Sequence, residues 1–155
     1  MRKILKGLLV LLMLSGCGEA PKEEVQEDVP PMMVVNPIKT YDTLEAVNNA
    51  VGTTITLSDQ IEVLRYTTIN NTVAQVDFTY SEYEMCLRAS FETEGAELAG
   101  TYGECQESTI DDYIILKYDF GVVVVYDINS EHRTLFIKAT IEDNQLKEII
   151  NVVLN

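Results

Sequence analysis

Val73-Ala74-Gln75-Val76-Asp77-Phe78-Thr79-Tyr80 alternates apolar and polar residues almost without a break. Side chains in an extended chain point to opposite faces in turn, so a period of two separates Ala74, Val76, Phe78 and Tyr80 from Gln75, Asp77 and Thr79. Met85, Leu87, Ala89 and Phe91 repeat the pattern against Cys86, Arg88 and Ser90. One apolar and one polar face on successive strands predicts an antiparallel sheet covered on one side.

Working outward, Asn70-Asn71 fits a hairpin turn between strands over 62–69 and 72–80. Further strands are predicted over 112–118, 122–126 and 133–139, with turns at Phe120-Gly121 and Asn129-Ser130. Val122 to Val125 is apolar on both faces, which predicts a central strand. Upstream, Asp42-Thr43-Leu44-Glu45 predicts a helix over 43–51, with Asp42 as N-cap and Glu45 reaching back. Gly52 supplies its stop. At the other end Leu146, Ile149, Ile150 and Val153 form the apolar stripe of a helix over 142–153. The expected class is α+β: an antiparallel sheet of about six strands, with a short N-terminal helix and a C-terminal amphipathic helix packed on one face. This single domain is expected to span 38–155.

Before it the sequence has a different character. Arg2, Lys3 and Lys6 precede an apolar or small-residue run from Gly7 to Leu14, and Leu14-Ser15-Gly16-Cys17 closes the segment. A positive flank, a short apolar run and small residues at a cleavage point make residues 1–16 a secretory signal. The run is much shorter than the roughly 20 residues that span a bilayer. Leu-Ser-Gly-Cys resembles the lipobox read by lipoprotein signal peptidase. That resemblance implies cleavage between Gly16 and Cys17 and diacylglycerol on the Cys17 thiol. Two acyl chains hold a protein on a membrane where one holds it only marginally. The expected location is the extracytoplasmic face of the cell membrane. In a cell with two membranes, Gly18 in place of an inner-membrane-retaining aspartate implies the outer one.

Residues 17–37 read as the lipidated cysteine and an acidic stalk. All four prolines of the chain fall here, and Glu19, Glu23, Glu24, Glu27 and Asp28 oppose only Lys22. Repulsion and proline stiffness favour an extended segment of at most about 60–70 Å. The signal sequence holds three of the eleven basic residues and none of the 25 acidic ones. Its removal leaves eight against 25, a net charge of −17 in place of −14. Such a field disfavours nucleic acid and anionic headgroups as partners.

Cys86 and Cys105 remain in the domain. Were strands over 84–92 and about 100–108 to pair as a hairpin, 86 would lie opposite 105, close enough for a disulfide. Two separate thiols are the alternative. Two cysteines without a nearby histidine do not make a zinc site, and no cofactor is expected. His132 falls in a turn region, without the neighbours a hydrolase triad needs. Glu92/Glu94/Glu97, Asp111/Asp112 and Glu142/Asp143 read as solvated clusters without the spacing of a calcium loop. Arg88 on the polar strand face, with Tyr80 and Tyr83 close in sequence, is a candidate ligand surface, since arginine and tyrosine concentrate at recognition sites. A cross-strand ion pair is the competing role for Arg88.

Asn36-Pro37, Ala50-Val51-Gly52, Leu87-Arg88-Ala89 and Leu98-Ala99-Gly100-Thr101-Tyr102 together resemble an uncharacterised family of small surface lipoprotein domains, found mostly in Gram-positive anaerobes. The family pattern often carries tryptophan after the opening Asn-Pro; this chain has Ile38 there and no tryptophan at all. The resemblance implies fold and location and assigns no reaction. The expected role is a membrane-anchored, non-enzymatic binding or interaction module whose partner is an envelope protein or wall component. A carrier of a lipid or other apolar ligand, and a cell-envelope hydrolase or accessory enzyme, are the alternatives.

Overall fold

A computed structural model describes residues 37–154. The signal sequence, Gly16, Cys17 and the stalk as far as Asn36 lie outside the described residues. In chain order the elements are β1 (Ile38–Tyr41), α1 (Leu44–Val51), β2 (Glu62–Ile69), β3 (Val73–Tyr80), β4 (Tyr83–Ser90) and α2 (Gly95–Ala99). Then follow β5 (Gln106–Ile110), β6 (Tyr113–Tyr118), β7 (Gly121–Ile128), β8 (Glu131–Ile137) and α3 (Asp143–Val153). The strands form one sheet in the order β1-β2-β3-β4-β8-β7-β6-β5, antiparallel throughout.

The antiparallel α+β class therefore holds, but the sheet has eight strands where about six were expected. The additions are its edges: β1, and β5, which overlaps the strand over about 100–108 expected only as a partner for 84–92. Each is short, with most side chains exposed, so neither carries the apolar alternation that marks a half-buried strand. Backbone pairing holds them in the ladder, with Ile110 of β5 and Tyr41 of β1 as their contacts with the main core. The third helix, α2, is five residues long, too short to display a helical period.

Tight turns of two or three residues set the register. Asn70 and Asn71 take φ of 53° and 60°, and Asn129 and Ser130 take 52° and 66°. These left-handed pairs match the twist of the flanking strands. The third expected turn sits one residue earlier, at Asp119-Phe120, and Gly121 opens β7 opposite Tyr118. A Cβ at Gly121 would collide with the Ile137 carbonyl and the Phe136 ring.

One face of the sheet carries the main core. Ala74, Val76 and Phe78 of β3, Met85, Leu87 and Ala89 of β4, Leu135 and Ile137 of β8, and Val122 and Val124 of β7 share one buried cluster with Val47 of α1 and Leu146, Ile149, Ile150 and Val153 of α3. Each large side chain buried here contributes about 1.5–3 kcal/mol. Leu146 is wholly buried, and truncating it to alanine would cost about 2–5 kcal/mol. β7 lies between β6 and β8, as its two apolar faces require.

The N-cap of α1 is Thr43, not Asp42: the Thr43 hydroxyl accepts from the Ala46 amide at 3.2 Å. Gly52 ends that helix with φ of 85°. The loop beyond it is held by charge. Glu131 and Arg133, both buried, pair at 2.6 Å. Glu131 also accepts from the Thr54 amide and hydroxyl, and Arg133 donates to the same hydroxyl at 3.0 Å. Neither ion could be buried without these partners.

The opposite face is divided. Over β6, β7 and β8 it is apolar, with Leu116, Tyr118 and Val123 buried beside Ala99 of α2 and Phe136 half-buried against them. Over β2, β3 and β4 it is polar. Among the described residues no helix is long and apolar enough to cross a membrane.

Candidate functional site

The polar half of that face is built by register. A two-residue turn aligns Tyr80 with Tyr83, which places Asp77 opposite Cys86 and Gln75 opposite Arg88; β2 brings Arg65 opposite Asp77. The side chains join into a ladder. Arg65 donates to Asp77 through Nε at 3.0 Å and Nη2 at 2.6 Å. Gln75 donates Nε2 to both Asp77 oxygens, and its Oε1 accepts from Arg88 Nε at 2.8 Å. Arg88 Nη1 then donates to the Leu98 carbonyl at 3.0 Å, tying α2 to the sheet.

Burial alone would raise the Asp77 carboxyl. Hydrogen bonds from Arg65, Gln75 and Cys86, with the charge of Arg65, outweigh it and hold the group below its ordinary 3.8. The Cys86 thiol is pushed up to about 12, chiefly by burial, with the Asp77 carboxylate adding to the rise against the opposing charge of Arg88. A thiol so poised stays protonated and is a poor nucleophile at neutral pH.

Arg88 differs from four of the domain's other cations. Arg65, Lys117, Arg133 and Lys138 each pair with a carboxylate, whereas no carboxylate among the described residues pairs with Arg88. The expected cross-strand ion pair is replaced by neutral acceptors. Above the guanidinium runs Gly100, the αL cap of α2 with φ of 69°. A Cβ there would lie 2.5 Å from Arg88 Nη1. Beside it opens a cleft of about 290 Å³, walled by Leu98, Gly100 and Tyr102 on one side and by Ile69 and Val73 of the β2–β3 hairpin on the other. Tyr102 is 78% exposed.

Tyr80 and Tyr83 do not join this site. They pair across the turn on the helix-covered face and line a separate recess of about 160 Å³ with Gln145 and Glu148 of α3. The aromatic that accompanies Arg88 is Tyr102. It lies fourteen positions away, and only the stretch Leu98–Tyr102 hinted at it. Gln75, Asp77 and Arg65 were missed because they read as ordinary polar-face residues; the register makes them a network.

Cys86 and Cys105 are both free, the first buried and the second exposed. The hairpin that would have joined them does not form. β4 pairs with β3 and β8, and β5 lies at the far edge beyond β8, β7 and β6. Four strand spacings amount to about 19 Å, far beyond the reach of a disulfide.

By register Ser90, His132 and Asp127 line up across three adjacent strands, an arrangement that invites a triad reading. His132 Nδ1 and Asp127 Oδ1 are 2.8 Å apart. The Ser90 hydroxyl, however, donates to the Thr72 carbonyl and accepts from the Glu92 and Thr93 amides. It is buried and shapes the chain leaving β4. The acidic clusters disperse likewise: Glu94 lies 3.9 Å from His132, and Asp143 pairs with Lys117 at 2.6 Å.

No family model matches the chain, and no curated protein or solved structure matches it either.

Proposed function

We propose that this chain is a lipid-anchored, extracytoplasmic interaction module: a small α+β domain held on a membrane through diacylated Cys17 and a stalk, presenting the polar half of its sheet to an envelope protein or wall component. The observation that carries the address is the tetrapeptide Leu14-Ser15-Gly16-Cys17, placed directly after a short apolar run with a positive flank. The similarity of four short stretches to surface lipoprotein domains points the same way. An interaction role is supported by the ladder from Arg65 to Arg88. It fixes charged and polar groups in place before any partner arrives, which lowers the ordering cost of binding. An apolar carrier is disfavoured by the filling of the space between sheet and helices, where Phe78, Met85, Leu87, Leu135, Ile137 and Leu146 are each at most 1% exposed.

The address is tested by growing cells that express the full chain with an alkyne analogue of palmitate. The protein should take up the label and sediment with membranes, and Cys17→Ala should lose the label and keep its signal sequence. An unlabelled wild-type protein overturns the reading.

A further inference from the structure

Two stretches far apart in sequence, Leu87-Arg88-Ala89 and Leu98-Ala99-Gly100-Thr101-Tyr102, meet in the fold. We infer that the cleft they form with the β2–β3 hairpin is a binding site for the free carboxylate of a peptide terminus, with Arg88 as its anion anchor and Tyr102 as its aromatic wall. The inference deepens the proposed interaction role and rests on it for its biological setting.

The argument starts from charge. Arg88 is half-buried and held on two neutral acceptors, Gln75 Oε1 and the Leu98 carbonyl. Those bonds use two of the five guanidinium N–H donors and fix its plane. They leave its charge without a carboxylate partner, unlike Arg65 on the same polar face and buried Arg133. In a chain with 25 acidic residues and eleven basic ones, a carboxylate could readily have been supplied from within. Planar guanidinium matches planar carboxylate, so the complementary ligand is a carboxylate.

The walls narrow the class. Ile69 is partly exposed at the rim, Leu98 and Val73 back the cleft from the core, and the Tyr102 ring stands largely in solvent, which suits a ligand with an apolar body next to its charge. Glu97 also lines the cleft. Its charge opposes a dianion such as phosphate more than a singly charged carboxylate, and its oxygens offer an acceptor to a ligand N–H. A carboxylate flanked by an amide and a small apolar side chain meets all three conditions, and the end of a peptide is such a group. A volume of about 290 Å³ accommodates one or two residues. The absence of a side chain at Gly100 lets the backbone lie against Nη1 without displacing the guanidinium from the cleft.

The test uses the isotope-labelled full chain in detergent micelles and three probes: N-acetyl-Ala-Ala with a free carboxylate, its C-terminal amide, and inorganic phosphate. The free acid should shift the Arg88 Nε–H and the Gly100 and Thr93 amide signals saturably in the millimolar range. The amide should bind about tenfold or more weakly, the loss expected for a charge-assisted hydrogen bond, and phosphate should bind more weakly than the acid. Arg88→Gln should abolish binding. Because Arg88 also holds α2, Tyr102→Ala is the second variant; it removes an exposed ring and should weaken binding several-fold with the spectrum otherwise unchanged. No saturable shift with the free acid, equal binding of the amide, stronger binding of phosphate, or unchanged affinity in Tyr102→Ala overturns the inference. Palmitate labelling is an independent readout. Loss of binding with the label intact removes the cleft alone, and loss of the label with binding intact removes the anchored setting alone.

Discussion

Gly100 lies over the guanidinium of Arg88 so closely that a Cβ at position 100 would come within 2.5 Å of Nη1. Gly52, the corresponding αL cap of α1, has open space around it. Gly52→Ala should therefore cost only the left-handed backbone penalty, about 1–2 kcal/mol. Gly100→Ala should cost that plus the displacement of Arg88 from the Leu98 carbonyl, about 1.5–3 kcal/mol more. Urea unfolding of both variants measures the difference, and equal costs would show that the close approach is without consequence.

The buried pair Glu131–Arg133 gives a second expectation. Glu131→Gln leaves Arg133 without its counter-charge inside the core and should destabilise the domain by about 3–5 kcal/mol. Replacing both residues by apolar ones of similar size should cost much less. Chemical denaturation of the single and double variants decides the matter; comparable losses in the two would mean that the charges are not coupled.

Acid sensitivity should trace in part to Asp77. Its native carboxyl titrates below the ordinary value of 3.8, so the folded state holds fewer protons than the unfolded chain around that pH. The resulting stability is fully present above the ordinary aspartate range and is lost as pH falls through the depressed native value. Asp77→Asn should flatten the acid limb of the stability–pH curve while leaving the slope near neutrality unchanged. An acid limb as steep as the wild type's would exclude Asp77 as its source.

Thiol chemistry separates the two domain cysteines. With its thiol pushed up to about 12 and buried, Cys86 should resist iodoacetamide at pH 8, while exposed Cys105 reacts. Intact mass should show one more alkyl group on the denatured protein than on the folded one, and no change on reduction alone. A two-dalton gain on reduction would restore the disulfide.

Much of the fold was legible because burial writes a period into sequence. β3 and β4 alternate cleanly, β7 is apolar on both faces, and the stripe of α3 matches the sheet's apolar side. What escaped lies at the sheet edges, where only Tyr41 and Ile110 turn inward and burial writes no period. Ile38-Lys39-Thr40-Tyr41 and Gln106-Glu107-Ser108-Thr109-Ile110 pair through amides and carbonyls, which carry no residue signature. The cysteines misled for a related reason: proximity in sequence suggested a hairpin, while α2 carries the chain across β4 and β8 before β5 forms at the far edge. At the candidate site Arg88 was visible as a cation on a polar face. Its companions were not, since Tyr102 reaches it only through the turn at Gly100 and Gln75 only through the pairing set at Ser81-Glu82.

The strand order has a kinetic consequence. Within each half of the sheet, β2-β3-β4 and β5-β6-β7-β8, consecutive strands are neighbours joined by turns of two or three residues, and these hairpins can form on the microsecond scale. The seam where Leu87 meets Leu135 and Cys86 meets Phe136 must instead close a loop of more than forty residues against its entropy. Among the strand pairings this seam closes the longest loop, so its search weighs most on the folding rate. Substitutions along β4 and β8 should slow folding, and those at the two sheet edges should chiefly hasten unfolding.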